Sequence, residues 1–220
     1  MDIEKLIRER HSVRIYLDKE IEKTKVDEIN NMIDDINKNE KLHLQLIVND
    51  REVFDKFILH YGRLKNCNNY IALVGKKDET LPERVGYYGE KLVLKAQELG
   101  LNTCWVAGTY KKKAVKAIIN DDETLVCVIA IGYGETSGKE RKSKTIDEVT
   151  KSKDYPDWFK KGIEYALLAP TAINQQRFTF EYIDENTVKA KALRGHLTKV
   201  DLGIVKYHFE LGANKKIEWI

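Results

Sequence analysis

Leu125, Val126, Cys127, Val128, Ile129, Ala130 and Ile131 follow Thr124 without a polar break, between Asp121-Asp122-Glu123 and Gly132-Tyr133-Gly134. A run of this length, rich in β-branched side chains and closed by turn residues, reads as a buried strand. The acids open that strand rather than bind a cation. The glycine pair lacks the third glycine and the helix of a dinucleotide fingerprint. Such a strand needs neighbours, and the rest of the chain offers them. Leu42, Leu44, Leu46 and Val48 alternate with polar residues, as in a half-buried strand. Tyr70 to Val74, Cys104 to Ala107, Arg177 to Asp184 and Lys216 to Ile220 are further candidates.

Helical stripes fill the intervals. Ile3, Leu6 and Ile7 mark residues 2–10; Val26, Ile29, Met32, Ile33 and Ile36 follow Thr24, which suits a helix cap. A variable helical region is expected near 51–65. Val85, Leu92, Val93, Ala96 and Leu99 define a long helix from Pro82 that Gly100 stops. A short basic helix is expected over 111–119, and further helices over 158–169 and 202–211. Helices and strands alternating with local links fit a layered α+β fold.

The 220 residues suffice for one large domain or two intimately joined halves. A hydrophobic fraction of 42% excludes a disordered chain. With 38 lysines and arginines against 35 acids, the net charge of +3 does not argue for nucleic acid, and no nucleic-acid motif appears. Cys67, Cys104 and Cys127 form no CxxC pair and read as buried thiols in a reducing compartment. Met1 to Lys5 carry acids and no apolar run, and no stretch has the length to cross a bilayer. A cytoplasmic protein with no membrane partner is expected. His43, His60, His196 and His208 lack metal-ligand spacing, and there is no GxSxG elbow.

Residues 135–153, crowded with Lys, Ser, Thr and Gly, form the one linker-like stretch. Around it the chain echoes itself. Helix 25–37 with strand 42–49 resembles helix 158–169 with strand 177–184, and Glu98 to Asn102 resembles Glu210 to Asn214. The expected division is a first half over 1–150 and a shorter second half over 151–220, completing one compact domain.

Four places carry candidate chemistry. Arg10, His11, Ser12 and Arg14 lie in one short extended segment, and residues of like parity share a strand face. Two guanidiniums flanking a hydroxyl suit a phosphate monoester, whereas a solvated basic edge is the plainer alternative. The turn Pro170 to Gln176 is rich in amides that pair with the donors and acceptors of a heteroaromatic edge, or simply with its own backbone. Gly108, after a strand, admits close approach of a flat ligand or merely makes a turn. Arg141, Lys142 and Lys144 reach for a phosphate or sit in solvent.

Taken together these pieces resemble the FMN-dependent nitroreductase family. The resemblance rests on Arg10-His11-Ser12-Val13-Arg14-Ile15-Tyr16, on Pro170-Thr171-Ala172-Ile173-Asn174-Gln175-Gln176, on Gly86 to Trp105, and on Ile131-Gly132-Tyr133-Gly134 followed by basic residues. These segments are spread from residue 10 to residue 176, and their conjunction is far more specific than any part. The resemblance implies a central mixed or antiparallel sheet flanked by helices, in two pseudo-equivalent halves. It implies bound FMN, with Arg10, Ser12, Arg14 and His11 on the phosphate and ribityl chain and Lys142 and Lys144 as further phosphate ligands. Asn174 and Gln176 would bind the isoalloxazine ring, and the backbone at Ala107 and Gly108 would face its reactive side. Electrons would pass from NADH or NADPH through the flavin to a nitroaromatic, a quinone or a similar small acceptor, with no obligatory side-chain acid or base. The alternative is a non-catalytic flavin- or ligand-binding protein that keeps the fold. One departure is informative: the asparagine motif, which in most members follows the basic motif closely, stands here in the second half. That resembles a subgroup fused into a pseudo-dimer, with one flavin per chain and a monomeric chain expected. Arg177 also replaces the proline usual after the glutamine.

Overall fold

The computed structural model describes residues 2–54 and 64–220. In chain order the elements are α1 (Ile3–Glu9), α2 (Lys23–Glu40), β1 (Gln45–Ile47), β2 (Tyr70–Lys76), α3 (Leu81–Glu98), β3 (Asn102–Val106), β4 (Glu123–Gly132), α4 (Ile146–Val149), α5 (Asp157–Leu168), β5 (Phe178–Tyr182), β6 (Thr187–Ala192), α6 (Thr198–Ala213) and β7 (Glu218–Trp219). They divide into two compact units. The first comprises Glu9–Leu81 and Lys91–Lys139; the second joins Met1–Arg8, Pro82–Glu90 and Glu140–Ile220.

The first unit holds an antiparallel sheet of order β1-β2-β4-β3. The long apolar run is β4, and it lies with β2 in the middle of that sheet, where both strand faces are shielded. Tyr70, Ala72, Val74, Val128 and Ala130 enter one apolar cluster with Cys104 and Val106 of β3. On the alternate positions Ile71, Leu73, Ile129 and Ile131 are fully buried as well. Leu73 pairs with Cys127 but Val74 with Leu125, so Val126 is the extra residue of a β-bulge. Helix α2 packs on β1 through the face bearing Ile29, Ile33 and Ile36.

In the second unit α5 packs on α6, beside a mixed sheet β5-β6-β7 whose first pair is antiparallel and second parallel. Rings of Trp158, Phe159, Phe180, Phe209 and Trp219 fill the space between, with the Phe180 and Phe209 centroids 4.8 Å apart. The first half of α3 meets α6 backbone to backbone. A Cβ at Gly86 would collide with the Val200 carbonyl, and one at Gly203 with the Glu83 carbonyl. Nearby, His208 Nε2 and Glu90 Oε1 lie 2.8 Å apart, both residues fully buried.

The long helix α3 and its stop agree with the sequence expectation, Gly100 adopting a left-handed φ of 73°. Elsewhere the structure corrects it. Thr24 lies inside α2 and caps nothing: Glu22 is the flanking residue, and its carbonyl receives the Lys25 and Val26 amides. The strand foreseen over 42–49 shrinks to β1, although Leu42 and Leu44 are buried as its alternation requires. The basic helix of 111–119 is only a 3₁₀ turn at Lys112–Ala114. Beyond it the chain runs out to bond the Tyr70 hydroxyl through the Lys116 amide and the Gln45 side chain through Ile118. Strand β6 was not foreseen, because in Thr187–Ala192 only Val188 is strongly apolar. Part of the helical region expected near 51–65, and His60, lie outside the described residues. Cys67, Cys104 and Cys127 are buried and unbridged, as expected of structural thiols. Among the described residues no helix is long and apolar enough to cross a membrane.

Candidate functional site

The basic segment after α1 belongs to the first unit and is fastened along its length. The Val13 amide donates to the Thr103 carbonyl of β3 at 3.0 Å, and Ser12 bridges Thr103 in parallel. Lys65 gives its amide to the Arg14 carbonyl and takes the Tyr16 amide, while the Glu135 amide donates to Ile15. Val13 and Tyr16 anchor it from beneath, both buried. Arg10, Ser12 and Arg14 all bear on one atom, the Cys104 thiol. Burial raises that thiol's pKa, and the two guanidiniums and the Ser12 hydrogen bond oppose the rise. Their depths differ, however: Arg10 is 2% exposed, Ser12 half-buried and Arg14 exposed. Among the described residues the Arg14 guanidinium makes no hydrogen bond or ion pair. His11 is covered by Gly138, whose left-handed backbone (φ 83°) would press a Cβ into the His11 side chain.

Ala107 and Gly108 follow β3 directly. Among the described residues, none but its own chain neighbours has an atom within 4 Å of the point where a Gly108 Cβ would sit. The glycine opens onto a hollow of about 570 Å³ lined by Glu52, Tyr110, Lys111, Lys112, Lys113 and Ala114.

The amide turn belongs to the second unit, and the linker runs beside it. Arg141 donates to the carbonyls of Leu168 and Ala169, and Ser143 to that of Leu167. Gln176 is 2% exposed and its amide is fully engaged. Its Nε2 donates to Ser143 Oγ at 3.0 Å and the Leu167 carbonyl at 2.9 Å, and its Oε1 receives the Lys144 amide at 2.8 Å. Lys144 spends its ammonium on the Gln176 carbonyl at 2.7 Å. Gln176 and Lys144 therefore clasp linker to turn. Lys142 is exposed, and its ammonium has no partner among the described residues. Asn174 donates from Nδ2 to the Lys142 carbonyl at 2.8 Å, while its buried Oδ1 has no partner there.

The turn's backbone is unusual. Ile173, Asn174 and Gln176 have φ of 49°, 56° and 44°. Left-handed conformation suits Asn but is an outlier for β-branched Ile. Asp201 of α6, missed in the sequence, accepts the Ala172 amide at 2.9 Å and the Gln175 side chain at 2.7 Å. The one available signal was an acid set among Val200, Leu202, Ile204 and Val205. The structure thus brings Arg10, Ser12 and Arg14 together at β3, with Ala107 and Gly108 at that strand's end. It brings Lys142, Lys144, Asn174 and Gln176 together at the turn.

The antiparallel sheet, the flanking helices and the two motifs define a protein of nitroreductase fold. The sequence matches the model of the family described as "Putative TM nitroreductase" over residues 2–213, and the chain belongs to that family. Membership of that family makes it an oxidoreductase. The structure is similar to that of a nitroreductase of Thermotoga maritima, with a TM-score of 0.73 and 24% identity over 98% of this chain and 87% of the other. A protein of Clostridium acetobutylicum described as an NADH oxidase gives 0.52 and 23%, over 68% of this chain and 99% of its own. One of Bacteroides thetaiotaomicron described as an NADH dehydrogenase/NAD(P)H nitroreductase gives 0.51 and 22%, over 66% and 94%. No curated protein matches the sequence.

Proposed function

We propose that the protein is an FMN-dependent oxidoreductase that takes electrons from NADH or NADPH and delivers them to a nitroaromatic, a quinone or a similar small acceptor. The observation that carries this reading is Arg14. Its exposed guanidinium is uncommitted among the described residues, stands on a backbone bonded on two sides, and lies beside Ser12. A forked cation held in that way suits a phosphate monoester, the anionic end of FMN. Two further features fit the rest of such a ligand, each on its own geometry. Asn174 Oδ1, an acceptor without a partner among the described residues, suits the imide N–H of a flavin ring. The bare backbone at Gly108 suits a planar ring, which needs close approach.

A bound flavin supplies the redox chemistry. The chain's residues bind and orient it. Arg14 and Ser12 hold the phosphate, with Arg10 and His11 behind them; Lys142, whose ammonium has no partner among the described residues, is proposed as a further phosphate ligand. Lys144 and Gln176, occupied with each other and the linker, keep the turn in place. One FMN per chain and a monomeric protein belong to the same proposal.

The test is spectroscopic. Purified protein incubated with FMN and freed of excess is expected to keep the yellow flavin bands and to bleach anaerobically with NADH or NADPH. A protein that retains no flavin contradicts the proposal. Bands that neither nucleotide bleaches favour the non-catalytic alternative.

A further inference from the structure

Asp201 is 3% exposed and has apolar residues on either side of it along α6. A carboxylate taken out of water there is costly unless its partners are well placed. Burial raises its pKa to about 6, against the Ala172 amide, the Gln175 side chain and His196, which pull it down. Both of its oxygens serve one object. Oδ1 receives the Ala172 amide and Oδ2 receives Gln175 Nε2, so the two arms grip the chain on either side of Ile173-Asn174. The gripped residues need gripping. Ile173 is 75% exposed, so burial of its side chain does little to hold it, and a left-handed backbone is strained for a β-branched residue.

We propose that Asp201 is the positioning residue of this turn: its carboxylate clamps Ala172 and Gln175 and so fixes Asn174 in the pose in which its buried Oδ1 keeps no partner among the described residues. The inference rests on the reading of Asn174 as a flavin contact. Asp201 itself acts only through the turn. The clamp requires a carboxylate rather than an amide of the same shape. Gln175 Nε2 bridges Asp201 Oδ2 and the His196 carbonyl, the latter at 2.8 Å. With Asn at 201, Gln175 could satisfy the new Nδ2 only by turning its own oxygen toward the His196 carbonyl. Asp201→Asn therefore loses one arm while keeping the volume, and Asp201→Ala loses both.

The experiment compares the wild type with Asp201→Asn, Asp201→Ala and Val200→Ala, the last a buried neighbour on α6 that does not touch the turn's polar grip. Each is titrated with FMN, and amide hydrogen exchange is followed over residues 170–177. Both Asp201 variants are expected to bind FMN about tenfold or more weakly, the loss of a charge-assisted contact being worth at least a factor of that order. Their turn amides exchange faster, and the bound-flavin band moves toward that of free FMN. Val200→Ala is expected to lose thermal stability but to keep wild-type FMN affinity and turn exchange. Wild-type affinity and exchange in Asp201→Asn and Asp201→Ala overturn the role of Asp201 alone. A wild type that binds no FMN overturns the flavin reading itself, and unchanged exchange in the variants then removes the clamp as well.

Discussion

Arg14 and Lys144 carry the same charge, yet the structure gives them different work. Among the described residues Arg14 is uncommitted on a fastened backbone, whereas Lys144 is bonded to the Gln176 carbonyl. Arg14→Ala is expected to weaken FMN binding about tenfold or more, and Lys144→Ala by about threefold or less. Equal dissociation constants would count against this assignment. Asp201 gives a pH signature at the same scale. Its folded pKa of about 6 lies above the ordinary 3.8, so the protonated form is the one better tolerated by the fold. The stability this group contributes is complete below about 3.8 and is lost as pH rises through about 6. As pH rises from about 4 to 6 in denaturant unfolding, the wild type should therefore lose stability relative to Asp201→Asn; an unchanged difference between the two would contradict it. The basic segment was legible because strand parity puts Arg10, Ser12 and Arg14 on one side. Their unequal depth was not, since it depends on Thr103, Lys65 and Glu135, which are remote in sequence. Asp201 escaped notice for the same reason, its partners lying 26 and 29 residues away.

Elements divide between those that local pattern decides and those that tertiary contacts decide. The central strand β4 and the helix α3 were readable because burial on two faces, or on one regular stripe, writes itself into residue order. Strand β6 was not, because Lys189 and Lys191 alternate with alanines and its partners are β5 and the distant β7. The basic stretch 111–119 has helical composition, but the Tyr70 hydroxyl and the Gln45 amide draw it out. The α3–α6 crossing yields a prediction. Gly203→Ala drives a methyl into the Glu83 carbonyl and should cost about 3 kcal/mol or more, since two backbones must part. Gly108→Ala meets no atom of the described residues beyond its chain neighbours and should change stability by less than about 0.5 kcal/mol. Thermal denaturation of the two variants checks the contrast, and equal losses would refute it.

On the scale of the whole molecule, the family match spans residues 2–213, and the Thermotoga maritima structure is similar over 98% of the chain. The two nitroreductase-like proteins of shorter reach are covered over 99% and 94% of their own length by only 68% and 66% of this one. About a third of the chain lies outside each of those two matches. The sequence suggests an echo of helix and strand, now α2 with β1 and α5 with β5. The matching tails differ in detail: the left-handed residue is Gly100 in one and Asn214 in the other, where Gly212 stays helical. The central claim is that this single chain binds FMN once. A fluorescence titration of FMN with protein of known concentration tests it most directly. Saturation at one FMN per chain is the predicted result; no saturable binding, or saturation at two per chain, would contradict it.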